Sequence, residues 1–150
     1  MLDGVAYMIP IDVSGSNKAR LKETSIGLNY AIQEFMGGKR KVIFYDTDLN
    51  DPFDRYSPDS PISLKNNDPG NALIAFATRR GDFAEDGLKL NSPFTNALME
   101  NIDQHKELSV VLRQVRANVI KATEGRQQPW VYDALTGEEL VLQAFKPINK

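Results

Sequence analysis

The stretch KVIFYDTDLNDPF, residues 41–53, passes from a short apolar run into a cluster of carboxylates. Its first part is rich in β-branched and aromatic residues, which is typical of a parallel strand that is covered on both faces. We therefore predict a central strand over residues 41–46. Functional residues of α/β sheets gather beyond the carboxyl ends of the strands. Asp46, Asp48 and Asp51 are therefore the first candidates for a site.

The composition limits both the fold and the partners. A chain of 150 residues with 41% hydrophobic content can bury one ordinary core, so we predict one domain over residues 1–150. The net charge of -2, with both signs mixed along the chain, gives no basic stripe, so nucleic acid is not an expected partner. No apolar run is long enough for a membrane span, and the first residues do not resemble a signal peptide. The chain has no cysteine, which fits both cytoplasm and periplasm, and we expect the cytoplasm.

Strand and helix patterns alternate along the chain. Strand patterns occupy residues 5–13, 41–46 and 72–78, with residues 140–145 as a candidate last strand, and helical periodicity covers residues 21–38, 91–102 and 107–125. This alternation predicts an α/β domain with a largely parallel sheet. Residues 47–71 lack periodicity and are rich in Asp, Asn, Ser and Pro, so we predict a long mobile loop there.

The predicted helices have recognisable faces and ends. The apolar face of the first helix consists of Leu21, Leu28, Ile32 and Phe35, and that of the last consists of Leu108, Val111, Leu112, Val115 and Val119. Ser92 and Pro93 are typical of the N-cap and the first position of the middle helix. Gly125 is a natural end for the last helix.

Three kinds of site partly match the aspartate pattern of residues 46–51. An EF-hand calcium loop that starts at Asp46 needs Gly at its sixth position and Glu at its twelfth, where the chain has Asp51 and Ser57. A haloacid dehalogenase-type phosphatase also places Asp-x-Asp after an apolar strand, but its pattern has Thr or Val where the chain has Asn50. An aspartic dyad rarely takes both carboxylates from one short segment. The phosphatase stays as the enzyme alternative, beside a plain turn of Asp and Asn.

Motifs beyond these aspartates follow one another in a specific order. They are YMIPIDV at residues 7–13, Asp46-Thr47-Asp48-Leu49, Pro52-Phe53, Ala77-Thr78, Gly81, Asp86-Gly87, Ser92-Pro93-Phe94-Thr95, Val115-Arg116 and Gln128-Pro129-Trp130. In this order they resemble the bacterial caspase-like cysteine peptidases of the metacaspase and orthocaspase type, over nearly the whole chain. The resemblance implies the caspase-hemoglobinase fold, which is a three-layer α/β architecture with a mostly parallel central sheet.

The chain differs from the family that it resembles at two positions that concern catalysis. Asp48 occupies the position of the nucleophilic cysteine, and Leu49 that of the arginine after it. A carboxylate is a poor nucleophile toward an amide, so we expect no peptide cleavage. The family's catalytic histidine precedes the segment that resembles residues 7–13, so the resemblance implies that this base and the N-terminal strands are missing. His105 lies in a polar link between two predicted helices, and we expect it on the surface.

Asp46 and Asp86 match acidic positions of that family. In the resembling enzymes these groups help to form the pocket that accepts Arg or Lys before the cut bond. Each residue also has a structural interpretation, since Asp46 could cap backbone N–H groups at a strand end and Asp86 could belong to a turn before Gly87. Both interpretations are kept, and no metal site and no cofactor are expected.

The function expected from these matches is that of a catalytically inactive caspase-like domain with a binding or assembly role. The alternatives are part of an active cysteine-type endopeptidase that another segment or chain completes, and the aspartyl-nucleophile phosphatase. A basic peptide is one expected partner. The other is a second copy or a complementing chain, because missing strands would expose a sheet edge and the apolar faces of residues 41–45 and 72–77.

Overall fold

The computed structural model describes residues 2–3, 5–10, 12–13, 17–47, 70–79, 82–85 and 91–142. The secondary-structure elements in these ranges are, in chain order, β1 (Tyr7–Met8), α1 (Lys18–Thr24), β2 (Ile26–Gly27), α2 (Leu28–Phe35), β3 (Lys41–Tyr45), β4 (Ala72–Phe76), α3 (Pro93–Asn101), α4 (Leu108–Ala122) and β5 (Trp130–Asp133). One sheet has the order β3-β4-β5, and β1 and β2 form a separate antiparallel pair.

The strand β4 lies at the centre of the larger sheet, and all five of its residues are buried. Because side chains of a strand alternate between the two faces, Leu73 and Ala75 pack with residues of α3 and α4. Ile74 and Phe76 pack on the other face with residues of α2. The sheet is thus covered by helices on both faces, which confirms the predicted three-layer α/β architecture.

The arrangement of the strands differs from the prediction in two respects. Residues 41–45 form β3 as predicted, but β3 lies at one end of the strand order and its residues are only partly buried. It is therefore not the central strand. The sheet is also mixed, because β3 and β4 are parallel whereas β4 and β5 are antiparallel.

The last strand of the sheet lies about ten residues before the predicted one over residues 140–145. It is β5, which follows Pro129 directly and has only two partly buried residues between two exposed ends. Such a short pattern carries little periodicity. In the predicted strand over residues 140–145, Val141 makes a single bridge to Glu107, and residues 143–145 lie outside the described ranges.

The single helix predicted over residues 21–38 is wrong, because two short helices occupy this region. Ser25 has extended backbone angles after α1, and Ile26 and Gly27 then pair with Met8 and Tyr7. Ser, Ile and Gly are weaker helix formers than Ala or Leu. The pairing with β1 gives the backbone groups of Ile26 and Gly27 hydrogen-bond partners outside a helix. Three residues of the predicted apolar face are buried, but Phe35 is 69% exposed.

The other two helices confirm their predicted boundaries. Ser92 is the N-cap of α3, its hydroxyl accepts a hydrogen bond from the Thr95 N–H, and Pro93 occupies the first position. The whole predicted stripe of α4 is buried. Gly125 follows α4 with a φ of 83°, a left-handed conformation that Gly adopts without steric cost. None of the helices in the described ranges is both long and apolar enough to cross a membrane.

Glu107 caps the N-terminus of α4, and this makes the stability of the helix depend on pH. Its carboxylate accepts hydrogen bonds from the N–H groups of Ser109, at 2.8 Å, and Val110, at 3.2 Å. Partial burial opposes ionisation, but these bonds and the one from the Ser109 hydroxyl prevail and hold the pKa of Glu107 below its ordinary value.

We expect Glu107→Gln to reduce the free energy of unfolding by about 1 kcal/mol near neutral pH, where the wild-type cap is ionised. The depressed pKa means that the carboxylate contributes above its unfolded pKa, and that this contribution is lost as pH falls through the folded value. Urea unfolding near pH 7 and at the lowest pH where the chain stays folded measures the difference, which should be smaller at the lower pH. An equal difference at both values would show that ionisation of Glu107 does not matter.

Candidate functional site

The carboxyl end of β3 carries Asp46, and this exposed residue is bonded to the start of α3. The Asp46 Oδ2 atom accepts a hydrogen bond from the Ser92 hydroxyl at 2.5 Å and another from the Thr95 hydroxyl at 2.6 Å. Hydrogen bonds to a charged acceptor are shorter and stronger than those between neutral groups. The first turn of α3 therefore fixes the Asp46 carboxylate at the carboxyl edge of the sheet.

The Ser92 hydroxyl has two partners, which explains how the helix start and the strand end are coupled. It accepts from the Thr95 N–H at 2.9 Å as the cap of α3, and it donates to Asp46. The N-terminus of a helix also carries a partial positive charge that favours a nearby carboxylate. The sequence Ser-Pro-Phe-Thr thus begins the helix and holds Asp46 with the same side chains.

The carboxyl end of β4 is held against the same edge. The Ala77 N–H donates to the Tyr45 carbonyl at 3.0 Å, which continues the ladder between β3 and β4 by one residue. The carbonyl of Ala77 accepts from the fully buried side chain of Gln127 at 2.9 Å. The oxygen of that amide accepts from the Glu85 N–H at 3.0 Å. One buried side chain therefore joins the end of β4 to the segment that precedes Asp86.

Ion pairs lie on the outer surface of that segment. Arg79 contacts Asp82 at 2.6 Å, and Arg126 contacts Glu85 at 2.8 Å. The hydrogen bond that Arg126 donates to the Glu85 carboxylate raises the pKa of the Arg126 guanidinium. The two arginines are largely exposed and the two carboxylates are partly buried, and ion pairs with an exposed partner add little to stability. They orient the segment over residues 82–85, while the Gln127 amide holds its backbone.

A row of aromatic rings crosses the three strands on the opposite face from Asp46. Phe76 lies between Tyr45, with ring centroids 5.7 Å apart, and Trp130, with centroids 5.4 Å apart. The Tyr45 hydroxyl donates to the Tyr7 carbonyl at 3.1 Å, and burial raises the pKa of Tyr45. Trp130 packs along the ring of Phe76 and remains 39% exposed. The three rings thus pack side by side across β3, β4 and β5.

The predicted site residues divide into those that can be placed and those that cannot. Asp46 lies at the strand end as predicted, and its partners in the described ranges are two side-chain hydroxyls rather than the backbone N–H groups of the structural interpretation. Asp48, Asp86 and most of the predicted mobile loop over residues 47–71 lie outside the described ranges. His105 is exposed in the turn between α3 and α4, as predicted, with a φ of 50°.

Two residues of the site were not singled out from the sequence. Thr95 belongs to the helix-start motif, and Gln127 directly precedes the Gln128-Pro129-Trp130 motif. A hydroxyl three residues after an N-cap lies on the same helix face as the cap, which was a usable signal for Thr95. The usable signal for Gln127 was the family pattern Gln-x-Pro-Trp, which places a Gln two residues before Pro129, although its two side-chain partners are 42 and 50 residues away in the sequence.

Most of the chain matches one known protein family. Residues 7–139 match the caspase domain family. The chain belongs to the caspase family. No curated protein matches it. The α/β fold with helices on both faces of the sheet is thus the caspase-like fold, and the matched region of this caspase-family domain includes Asp46, Ser92, Thr95 and Gln127.

The caspase-family match also bears on other chemistries of the aspartate cluster. It leaves the phosphatase alternative without a supporting observation. Within the described ranges, no three His, Asp or Glu side chains are grouped so that they could hold a metal ion. A groove of about 190 Å³ lies elsewhere, between α4 and the sheet, with Arg113, Arg116 and Asp133 on its rim. Asp46 does not line that groove, so the candidate site is the exposed carboxyl edge of β3.

Proposed function

We propose that this caspase-family domain is a pseudoprotease that binds basic peptides without cutting them. The observation that carries the proposal is the residue at the nucleophile position, where the chain has Asp48 and no cysteine occurs among its 150 residues. A thiolate attacks an amide carbonyl readily, whereas a carboxylate is a poor nucleophile toward amides. The substitution therefore removes the reaction but need not remove binding.

The support for retained binding is the state of Asp46. Its carboxylate is exposed, lies at the carboxyl end of β3, and is held in one position by two hydroxyls of α3. A fixed and accessible carboxylate attracts the guanidinium or ammonium group of a peptide. Asp86 is proposed as the second carboxylate of this pocket, on the resemblance alone.

The experiment compares binding with turnover. Peptides with a central Arg or Lys should bind with micromolar to millimolar dissociation constants, and Asp46→Asn should weaken binding by about tenfold or more because the charge is lost. Fluorogenic versions of the same peptides should show no cleavage at any pH. Asp48→Cys should remain inactive, since the only histidine of the chain is at the far end of α3 from Asp46.

Two controls make the outcome decisive. Asp103→Asn removes an exposed carboxylate after α3 and should leave peptide binding unchanged. Cleavage that scales with protein concentration and disappears in Asp48→Ala would contradict the proposed loss of catalysis. Equal binding by the wild type and Asp46→Asn would contradict the proposed peptide site.

We also propose that another chain pairs with this domain, either a second copy or a complementing chain of the kind that would complete an active endopeptidase. The predicted exposure of the apolar faces of residues 72–77 is wrong, because both faces of β4 are covered within the chain. The outer edge of β3 is the remaining reason. No strand of the described ranges pairs along it, and such an edge favours pairing with another strand.

We expect the partner to be a second copy, and sedimentation equilibrium at micromolar concentration tests this self-association. We expect a species heavier than the 16.8 kDa chain. A cooperative, well-folded monomer at every concentration would refute self-association and leave only a complementing chain.

A further inference from the structure

The hydrogen bonds of Asp46 are concentrated on one of its two oxygens. Both the Ser92 hydroxyl, at 2.5 Å, and the Thr95 hydroxyl, at 2.6 Å, donate to Oδ2. An ionised carboxylate offers about four acceptor positions, two on each oxygen. Two donors therefore occupy the acceptor positions of Oδ2, and no side chain or N–H group of the described ranges is bonded to Oδ1.

Both donors are themselves fixed by the helix. Ser92 is held as the N-cap by the Thr95 N–H at 2.9 Å, and Thr95 lies in the first turn of α3 with a β-branched side chain that has few rotamers. Turning the carboxylate so that Oδ2 faces a ligand would break two hydrogen bonds to a charged group. Asp46 is thus presented to a ligand through Oδ1.

A carboxylate with one accessible oxygen distinguishes poorly between the two basic side chains. Arginine gains its advantage over lysine from a planar fork that donates two parallel hydrogen bonds, one to each oxygen. Lysine is a point charge that needs only one acceptor. We propose that Ser92 and Thr95 are specificity-determining residues, which remove the bidentate mode from Asp46 and make the site accept Lys as well as Arg. This inference rests on the proposed function.

The test uses three acetylated tetrapeptide amides that differ only in their last residue, which is Arg, Lys or the uncharged norleucine. Titration followed by isothermal calorimetry or NMR gives the three dissociation constants for the wild-type chain. We expect the Arg and Lys peptides to bind within about threefold of one another, and both to bind better than the norleucine peptide.

Thr95→Val is the decisive variant. It removes one hydroxyl donor to Asp46, keeps the shape of the side chain, and keeps the backbone N–H that donates to the Ser92 hydroxyl. It vacates a position on Oδ2, so the preference for the Arg peptide over the Lys peptide should rise to about tenfold. Thr95→Ser keeps the hydroxyl and should restore the wild-type ratio. Thr24→Val removes a hydroxyl at the end of α1, bonded to the Arg20 carbonyl at 2.7 Å, and should not change the ratio.

The possible results separate this inference from the proposed function. A wild-type preference for Arg above about tenfold, or a ratio that Thr95→Val leaves unchanged, would overturn the specificity role and leave peptide binding intact. Equal binding of all three peptides by the wild type would overturn both. If Thr95→Val does not fold, as judged by thermal unfolding, Thr95→Ala supplies the same comparison with the hydroxyl removed.

Discussion

Phe76→Ala is expected to reduce the free energy of unfolding by about 3–5 kcal/mol, the usual cost of removing a buried phenyl ring. Phe76 is fully buried at the end of the central strand β4. Its ring packs between Tyr45 and Trp130 and belongs to the cluster that joins the sheet to α2. Truncation leaves a cavity that three strands and a helix would have to close together, so relaxation should recover little of the loss.

Urea unfolding at 25 °C, followed by the fluorescence of Trp130, measures this effect directly. Phe83→Ala is the matched control, because Phe83 is 71% exposed and its removal should cost less than about 0.5 kcal/mol. A loss below about 1 kcal/mol for Phe76→Ala would mean that Phe76 does not hold the sheet against α2. Such a result would contradict the packing between Tyr45, Phe76 and Trp130.

Gln127→Met should reduce the free energy of unfolding by about 2–3 kcal/mol although it replaces a buried polar side chain by an apolar one of similar length. The loss arises from the partners. The Ala77 carbonyl is buried and would lose the amide donor at 2.9 Å, and the Glu85 N–H would lose its acceptor at 3.0 Å. A buried backbone group without a partner costs more than the net value of the hydrogen bond itself.

Two measurements distinguish this prediction from a general loss of packing. Gln33→Met, at an exposed position of α2, should change stability by less than about 0.5 kcal/mol. Hydrogen exchange at the Glu85 amide should become faster in Gln127→Met, because that amide donates to the Gln127 side chain. Unchanged exchange at Glu85, together with unchanged stability, would show that the amide bridge is not needed to hold residues 82–85.

The parts of the fold that could be predicted from the sequence are those whose physical causes are local. The start of α3 follows from Ser92 and Pro93, and the buried stripe of α4 follows from apolar residues three and four positions apart. The β-branched and aromatic run at residues 41–45 identified β3 for the same reason. The ordered motifs also identified the family, which the match over residues 7–139 confirmed.

Predictions from local patterns are wrong where a segment pairs or packs with residues that are distant in the sequence. The apolar spacing over residues 21–38 suits one helix, but the pairing of Ile26 and Gly27 with β1 interrupts it. The composition of β3 suggested a central strand, whereas β4 is the strand with neighbours on both sides. The order of strands depends on which chain segments meet in space. The composition of a strand is related to its burial and does not determine its position in the sheet.

The candidate site shows the same division. Aspartate at the end of β3, the lack of cysteine and the residue at the nucleophile position are all properties of the sequence, and they suffice to question catalysis. The partners of Asp46 are 46 and 49 residues away, and the partner of the Ala77 carbonyl is 50 residues away. Side chains so distant are brought together only when the helices pack on the sheet, because no periodicity links their positions. The sequence therefore identified the carboxylate, and the folded chain decided which of its oxygens accepts hydrogen bonds from α3.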